Sequence, residues 1–204
     1  MQWEKGYMDN YEQKYNSPGS EVKADVSWER YMNPTEKRKA MRKRYDYSVD
    51  KLYGSVLDVG CGDGFGMYRM SQSPRITHIT GLEIHDKNLR EAENNLMGIN
   101  NVKIIKGIGE KMPFKDGFDC IHCGHTLEHV FDDLAVLLEI KRLLEGVAVI
   151  SVPINGGISL QHIREYTIEG FTSLINKHFN ILESKTFIAH VKSFVVVVNK
   201  KLCE

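Results

Sequence analysis

Three glycines that follow a short apolar strand give the clearest sign of ligand binding in this chain. Residues 56–66 read VLDVGCGDGFG, with Gly60, Cys61, Gly62 and Gly64 in the turn between the predicted strand and the next helix. Glycine adopts backbone angles closed to other residues and lets a ligand approach the main chain. The G-x-G-x-G spacing matches neither the dinucleotide fingerprint nor a P-loop, so the turn indicates another nucleoside-bearing cofactor.

Two acidic residues accompany the glycine turn. Asp58 precedes it at the strand end, which favours a cationic or hydroxyl-rich ligand over a pyrophosphate. Glu83 ends the next apolar strand, about twenty residues on, where a carboxylate can accept hydrogen bonds from ribose hydroxyls. The turn and the sequence Gly-Leu-Glu at 81–83 resemble motif I and the acidic motif of class I S-adenosylmethionine-dependent methyltransferases. The resemblance implies S-adenosylmethionine as cofactor, with Ile84 also in its binding set.

Each acid also has a structural interpretation. Asp58 could bind backbone amides of the glycine turn, whereas in the resembling enzymes this acid supports the methionine end of the cofactor, often through water. Glu83 could be a surface acid that begins a helix together with Asp86. The pairing of the glycine turn with an acid at the expected distance favours the cofactor roles.

The segment after the third predicted strand resembles the part of these enzymes that flanks the adenine. Met-Pro-Phe at 112–114 matches the usual Leu-Pro-Phe. Many relatives have Gly-Asp-Ala before it, with the Asp accepting from the adenine amino group, whereas this chain reads Gly-Ile-Gly-Glu at 107–110. We expect Ile108 to pack on the ring beside Gly109, and Glu110 to supply the acid.

The run FDCIHCGHTLEHV at 118–130 resembles the strand-four motif of many small-molecule methyltransferases, which ends in Leu-Glu-His-Val near the methyl group. The reaction is an in-line displacement, so the protein aligns the acceptor and, for a hydroxyl, removes its proton. A histidine with an ordinary pKa of about 6.5 is a suitable base. His125, which also lies against the cofactor, is the first candidate and His129 the second, with Glu128 on the acceptor. Alternatively, Glu128 and His129 only orient the loop and cofactor.

The same residues have a spacing found in metal sites. His125, Glu128 and His129 stand at i, i+3 and i+4, which places three ligands on one helical face, and His162 offers a fourth. The set loosely resembles the metal site of small-RNA 2′-O-methyltransferases, whose pattern is Glu-x-x-Glu-His. Because such polar trios are common by chance, the sequence interpretation assigns no metal.

A last cluster follows the fifth predicted strand. The run His-x-Arg-x-Tyr-Thr at 162–167 recurs in a methyltransferase subgroup that includes sugar- and natural-product-modifying enzymes, where it lies over the acceptor pocket. The resemblance implies four acceptor-binding residues: Asn155, His162, Arg164 and Tyr166. His162 could also activate the acceptor. Alternatively, Thr167 caps the next helix while His162 and Arg164 hold the loop in place.

The elements that must position these residues alternate between strand and helix. Strands are predicted at about 55–59, 77–83, 102–106, 118–123 and 146–152, with helices at about 65–72, 86–97 and 132–144. A helix near 167–177 then precedes β-rich runs at 179–188 and 192–200, which should form an antiparallel hairpin. The pattern predicts an α/β, Rossmann-like, seven-stranded and mostly parallel sheet with helices on both faces.

Composition limits the classes of function. The 204 residues fit one domain with a modest appendage, and Lys+Arg and Asp+Glu are both 27, which gives no general electrostatic argument for nucleic acid. The cysteines have no framework spacing, so a reducing, cytoplasmic setting is expected; the C-x-x-C of Cys120 and Cys123 lacks the second pair of a zinc site. No apolar run approaches the roughly 20 residues that cross a bilayer, so we expect no membrane association.

Residues 1–34 are predicted to form an N-terminal extension to a methyltransferase domain at 35–204. Four aromatic residues recur in steps of four and would form one stripe on a helix: Trp3, Tyr7, Tyr11 and Tyr15. The stripe either docks on the domain surface or forms a lid over cofactor and acceptor, as in related enzymes. A second helix at 35–52 carries basic residues that form a solvated face or a phosphate-binding patch: Lys37, Arg38, Lys39, Arg42, Lys43 and Arg44.

Together these features predict an S-adenosylmethionine-dependent methyltransferase that modifies an oxygen or nitrogen of a small molecule. Carbohydrate is the leading acceptor class, because the loop that contains His162 points to it. RNA ribose 2′-O-methylation with a metal site is an alternative, suggested by the His/Glu trio and the basic helix. A non-catalytic cofactor-binding subunit is another, since segment 108–110 departs from the family.

Overall fold

The computed structural model describes residues 6, 9–17, 27–33, 35–154, 162–188 and 192–201; at 36–38, 40 and 41 it describes the backbone only. Within these ranges seven strands form one sheet. Their bounds are β1 Gly54–Val59, β2 Ile76–Glu83, β3 Val102–Lys106, β4 Phe118–Gly124, β5 Leu144–Pro153, β6 Phe179–Ile188 and β7 Lys192–Lys200. The predicted strands agree with these bounds to within two residues at each end.

The sheet order places the ends of β1 and β4 at its centre. The order is β3-β2-β1-β4-β5-β7-β6, and β1 to β5 pair in parallel. β7 runs antiparallel between β5 and β6, which confirms the predicted hairpin. The chain moves outward from β1 to β3 and then returns to β4, so a topological switch point lies between β1 and β4. Ligands of such sheets bind outside the carboxyl ends of the strands at this point.

Six helices and one short π-helical turn accompany the strands in the described part of the chain. The π-helical turn is Glu12–Asn16, and the helices are α1 Ser27–Met32, α2 Glu36–Lys51, α3 Phe65–Ser71, α4 Asp86–Asn95, α5 Asp133–Leu143 and α6 Ile168–Asn176. Thr167 caps α6, because its side chain accepts a hydrogen bond from the Gly170 amide. None of the helices seen in these ranges is long and apolar enough to cross a bilayer.

Apolar side chains cover both faces of the sheet. On β7, Phe194, Val196 and Val198 belong to one buried cluster, whereas Val195 and Val197 belong to the other. The two clusters arise because successive strand residues point to opposite faces. Cys120 and Cys123 fall in different clusters for the same reason, so the C-x-x-C pair of β4 does not converge on one ligand.

Candidate cofactor and acceptor site

The glycine turn between β1 and α3 is tightly packed against the end of β4. Gly60, Gly62 and Gly64 all have positive φ, at 72°, 57° and 85°, a region that other residues rarely adopt. A Cβ atom on Gly60 would lie 2.5 Å from Oγ1 of Thr126, whose hydroxyl donates to the Val59 carbonyl. Any larger residue at position 60 would therefore displace the turn.

Glu83 holds the glycine turn and its own strand end together. Its Oε2 accepts a hydrogen bond from the Gly62 amide at 2.9 Å, and Oε1 accepts from the Ile84 and His85 amides, both at 2.8 Å. Burial raises the pKa of Glu83, while these amide hydrogen bonds oppose the rise. A carboxylate can accept about four hydrogen bonds, so capacity remains for a ribose hydroxyl. Glu83 is 7% exposed and is therefore not the surface acid of the alternative interpretation.

Asp58 forms a buried pair with His122 on the neighbouring strand β4. The distance between Asp58 Oδ1 and His122 Nδ1 is 2.7 Å. Arg44 reaches the same region from α2, and its Nη1 donates to Ser151 Oγ on β5 at 2.8 Å. Arg44 is only 6% exposed, so its assignment to a solvated or phosphate-binding face is wrong. Sequence reasoning missed this cluster; a polar His within an apolar strand was its only local signal.

Glu110 presents an unpartnered oxygen in the region predicted for adenine. Its Oε1 accepts from the Tyr11 hydroxyl at 2.6 Å and from the Phe131 amide at 3.0 Å. Its Oε2 is buried and has no hydrogen-bond partner among the described residues, which suits an adenine amino donor. Ile108 is buried nearby, and a Cβ on Gly109 would lie 3.1 Å from Val136.

The segment after β4 differs from its prediction. Residues 125–130 form bends and turns, not a helix, so the helical face proposed for His125, Glu128 and His129 is wrong. The chain changes direction at His125, which has a φ of 57° and whose Nε2 lies 2.9 Å from Ser193 Oγ. Burial, then the nearby positive charges led by Arg44, hold the pKa of His125 well below its usual range. The ordinary histidine pKa assumed from the sequence therefore does not apply.

Glu128 is enclosed by three histidines. It is 1% exposed, and burial raises its pKa to about 8. Its Oε1 lies 3.7 Å from His125 Nδ1 and 3.8 Å from His129 Nε2. The His162 ring packs edge-on against that of His129, with 4.8 Å between ring centroids. The fold thus brings Glu128, His129 and His162 together although the last two are 33 positions apart in sequence.

Arg164 and Tyr166 fasten the turn after β4. Arg164 donates to the carbonyls of Leu127 at 2.7 Å and Val130 at 2.6 Å, and Tyr166 donates to Asp133 Oδ2 at 2.7 Å. These contacts agree with the alternative in which Arg164 holds the loop in place. A direct role of Arg164 and Tyr166 in acceptor binding stays a prediction. Asn155 lies outside the described residues.

The N-terminal segment 9–17 lies across these strand ends. Lys14 Nζ donates to the His129 carbonyl at 3.1 Å, and Asn16 donates to the Ile84 carbonyl at 3.1 Å. Tyr15 stacks on Tyr11 with 5.8 Å between ring centroids. Burial and then the charges of Glu83, Glu110 and Glu128 raise the pKa of Tyr15, because its hydroxyl lies among the carboxylates. Trp3 and Tyr7, the other residues of the predicted stripe, lie outside the described ranges.

The sheet order, the glycine turn and the acid at the end of β2 define a Rossmann-like methyltransferase fold. Residues 52–184 match a protein family described as "Methyltransferase domain", and the chain belongs to this family. The chain thus has the fold and the sequence motifs of the class I S-adenosylmethionine-dependent methyltransferases, the class that its motifs predicted. The cofactor of this class is S-adenosylmethionine, and the spare acceptor capacity of Glu83 and the unpartnered Glu110 oxygen fit its ribose and adenine.

The chain is similar to methyltransferases whose names indicate different acceptors. The chain is 31% identical over 113 residues to demethylmenaquinone methyltransferase of Staphylococcus aureus, a match that covers 54% of this chain and 47% of that protein. The matched part thus spans about half the length of that relative. The N-methyltransferase NodS of Bradyrhizobium japonicum, solved with S-adenosylhomocysteine, aligns with a TM-score of 0.68 at 12% identity over 95% of this chain and 98% of NodS. An S-adenosylmethionine-dependent methyltransferase of Clostridium acetobutylicum aligns with a TM-score of 0.61 at 12% identity over 79% and 89%.

Proposed function

We propose that the protein transfers the methyl group of S-adenosylmethionine to an oxygen or nitrogen atom of a small molecule, with hydroxyl-rich acceptors such as carbohydrates as the leading class. The observation that carries this proposal is the buried Glu128 carboxylate, with His129 and His162 beside it, at the same strand ends as the cofactor-binding Glu83. Polar groups of this kind can bind and deprotonate an acceptor.

The cofactor supplies an electrophilic methyl group on a positively charged sulfur. The residues of the chain orient it: Glu83 accepts from the ribose and Glu110 from the adenine. On the acceptor side, His162 and His129 are partly exposed and can reach a bound molecule, whereas His125 is more enclosed. Burial lowers the pKa of His162, so its imidazole is neutral near pH 7 and able to accept a proton.

The names of the relatives do not identify the acceptor of this chain. By name, one acts on demethylmenaquinone and NodS is an N-methyltransferase, so members of the same fold serve unlike acceptors. The carbohydrate class rests instead on the His-x-Arg-x-Tyr-Thr loop at 162–167.

We place the protein in the cytosol, because Cys61, Cys120 and Cys123 are free and buried.

The first test is calorimetric titration with S-adenosylmethionine and S-adenosylhomocysteine. We expect micromolar binding of both by the native chain, and binding weaker by about tenfold or more in Glu83→Gln, since charge-assisted hydrogen bonds are lost. Glu93→Gln, an exposed acid on α4, is the matched control and should bind as the native chain does. Radiolabelled methyl transfer to a panel of sugars and other small hydroxyl and amino compounds then identifies the acceptor.

Two results would contradict the proposal. Equal cofactor affinity in native chain and Glu83→Gln would remove the assigned ribose acid. Tight cofactor binding with no methyl transfer to any member of a broad panel would favour a cofactor-binding subunit without transferase activity.

A further inference from the structure

Three side chains able to bind a metal meet where the turn after β4 contacts the loop before α6. One ligand atom from each of Glu128, His129 and His162 lies within 4.8 Å of the other two. The sequence pattern had grouped His125 with Glu128 and His129, offered His162 as a fourth ligand, and led to no metal assignment. The fold gives a different set, in which His162 from a distant loop takes the place of His125.

The state of Glu128 is the second observation. Its side chain is 1% exposed, and neither carboxylate oxygen has a hydrogen-bond partner among the residues that the structure describes. The imidazole nitrogens of His125 and His129 lie 3.7 Å and 3.8 Å from Oε1, which is too far for a hydrogen bond. A buried carboxylate without a donor is unfavourable, and a cation is one of the few groups that compensate it.

We propose that Glu128, His129 and His162 bind one divalent transition-metal cation. Two imidazoles and one carboxylate suit zinc, cobalt, nickel or iron better than magnesium or calcium, which prefer oxygen ligands alone. Three protein ligands leave coordination positions open, as in catalytic metal sites. His129 and His162 are partly exposed, so the ion can be reached from outside the fold.

The position of the cluster gives the cation a role in acceptor binding. The amide of Ile163 donates to the Glu128 carbonyl at 2.9 Å, and Lys14 donates to the His129 carbonyl, so the loop before α6 and segment 9–17 both close on it. With His162 bound to the cation, the open coordination positions would hold and acidify a hydroxyl of the acceptor, so the cation would take the place of a free His162 imidazole in activating it. This role rests on the proposed function, whereas binding of the cation does not.

The test is a titration of the untagged protein with Co²⁺ after removal of metals by chelator, followed by visible absorption. We expect one Co²⁺ per chain, with absorption bands of nitrogen and oxygen coordination, and competition by Zn²⁺. Glu128→Gln and His162→Ala should each weaken binding by at least about tenfold. His178→Ala, at a histidine after α6 and outside the cluster, is the matched control and should bind as the native chain does.

Three outcomes would overturn the proposal. These are no stoichiometric binding, binding that both cluster variants retain, or the charge-transfer absorption of a cobalt–thiolate bond, which would assign the ion to a cysteine. His162 lies on a loop and is partly exposed, so its variant decides the matter even where Glu128→Gln does not fold. Titration with S-adenosylhomocysteine in the same samples separates the metal proposal from the proposed function. Metal binding can fail while cofactor binding persists, and cofactor binding can fail while metal binding persists.

Discussion

Asp58 and His122 pair beneath the glycine turn, where both side chains are almost fully buried. Removing one partner from a buried pair leaves the other without compensation. We predict that Asp58→Asn lowers the free energy of unfolding by about 2–3 kcal/mol. Urea unfolding measures this change.

Asp50→Asn is the control for that substitution, because Asp50 is an exposed acid on α2 and its replacement should change the unfolding free energy little. A double variant with His122→Gln then measures the coupling between the two positions. Additive effects of the two single substitutions would contradict a direct interaction.

The His125 and His162 rings are expected to matter much more for turnover than for cofactor affinity, even though His125 is predicted to lie against the cofactor. Replacing His125 and His162 separately by Ala should abolish methyl transfer in at least one variant, with S-adenosylhomocysteine affinity retained. The reason is that neither ring is needed for the contacts of Glu83 with the glycine turn. Single-turnover assays and calorimetry on the same samples separate the two effects.

His178→Ala is the control here as well, because His178 lies at the amino end of β6, away from the carboxyl ends of β1, β2 and β4. Unchanged turnover in both His125→Ala and His162→Ala would refute the assignment of a histidine base. A parallel loss of turnover and cofactor affinity would instead indicate a purely structural role.

At the scale of elements, β1 and β4 are joined at their amino ends by Asp119 and Ser55. The Asp119 carboxylate accepts from the Ser55 amide and hydroxyl, both at 2.8 Å, and these bonds lower the pKa of Asp119. Because the folded-state pKa lies below the unfolded value of about 3.9, the stabilisation is present above that pH and is lost as pH falls.

Asp119→Asn should therefore lower the unfolding free energy at pH 7 by about 1 kcal/mol or less, since solvent screens the partly exposed pair. The difference from the native chain should shrink as the pH falls below about 4. Asp116→Asn, on the exposed loop before β4, is the control. A difference that stays constant from pH 7 to pH 3 would contradict the charge argument.

The segment 9–17 is expected to act as a lid. It contacts the ends of β2 and β4, and the Tyr11 hydroxyl joins Glu110 to the turn after β4. Removing these bonds in the double variant Tyr11→Phe/Asn16→Ala should speed amide exchange in the segment and raise the dissociation rate of S-adenosylhomocysteine several-fold. Hydrogen-exchange mass spectrometry and stopped-flow dissociation provide the measurements.

Gln13→Ala changes an exposed side chain of the same segment and should leave both rates unaltered. If the double variant released the cofactor at the native rate, the segment would only be docked on the domain surface.

The elements were more predictable than the site. Strands β3, β6 and β7 begin and end at the predicted residues, because their hydrophobic patterns and turn residues are local. The position of Arg44 was not predictable, since a basic run gives no sign that one member is buried among strands. Likewise, the meeting of Glu128 with His162 depends on how a loop folds back on a turn, which no spacing within either segment encodes.

At the scale of the whole molecule, the chain combines a complete cofactor-binding sheet with no excess of positive charge. The fold aligns with nearly all of NodS, and Lys+Arg and Asp+Glu are both 27. Proteins that bind nucleic acid through phosphates require local or general positive charge, and their affinity falls steeply with salt. Arg44 is buried, which removes one member of the basic run on α2 from such a role.

We therefore predict no binding of a short single-stranded RNA tighter than about 100 µM at about 150 mM salt, a level typical of weak non-specific contact. Fluorescence anisotropy at several salt concentrations, with and without Co²⁺, measures it. Reversing the exposed charges in the double variant Lys39→Glu/Lys43→Glu should then leave the weak RNA affinity unchanged. Tight, metal-dependent RNA binding with a steep salt slope that this double variant abolishes would favour ribose methylation of RNA, because that activity needs both the cation at Glu128 and a phosphate-binding face on α2.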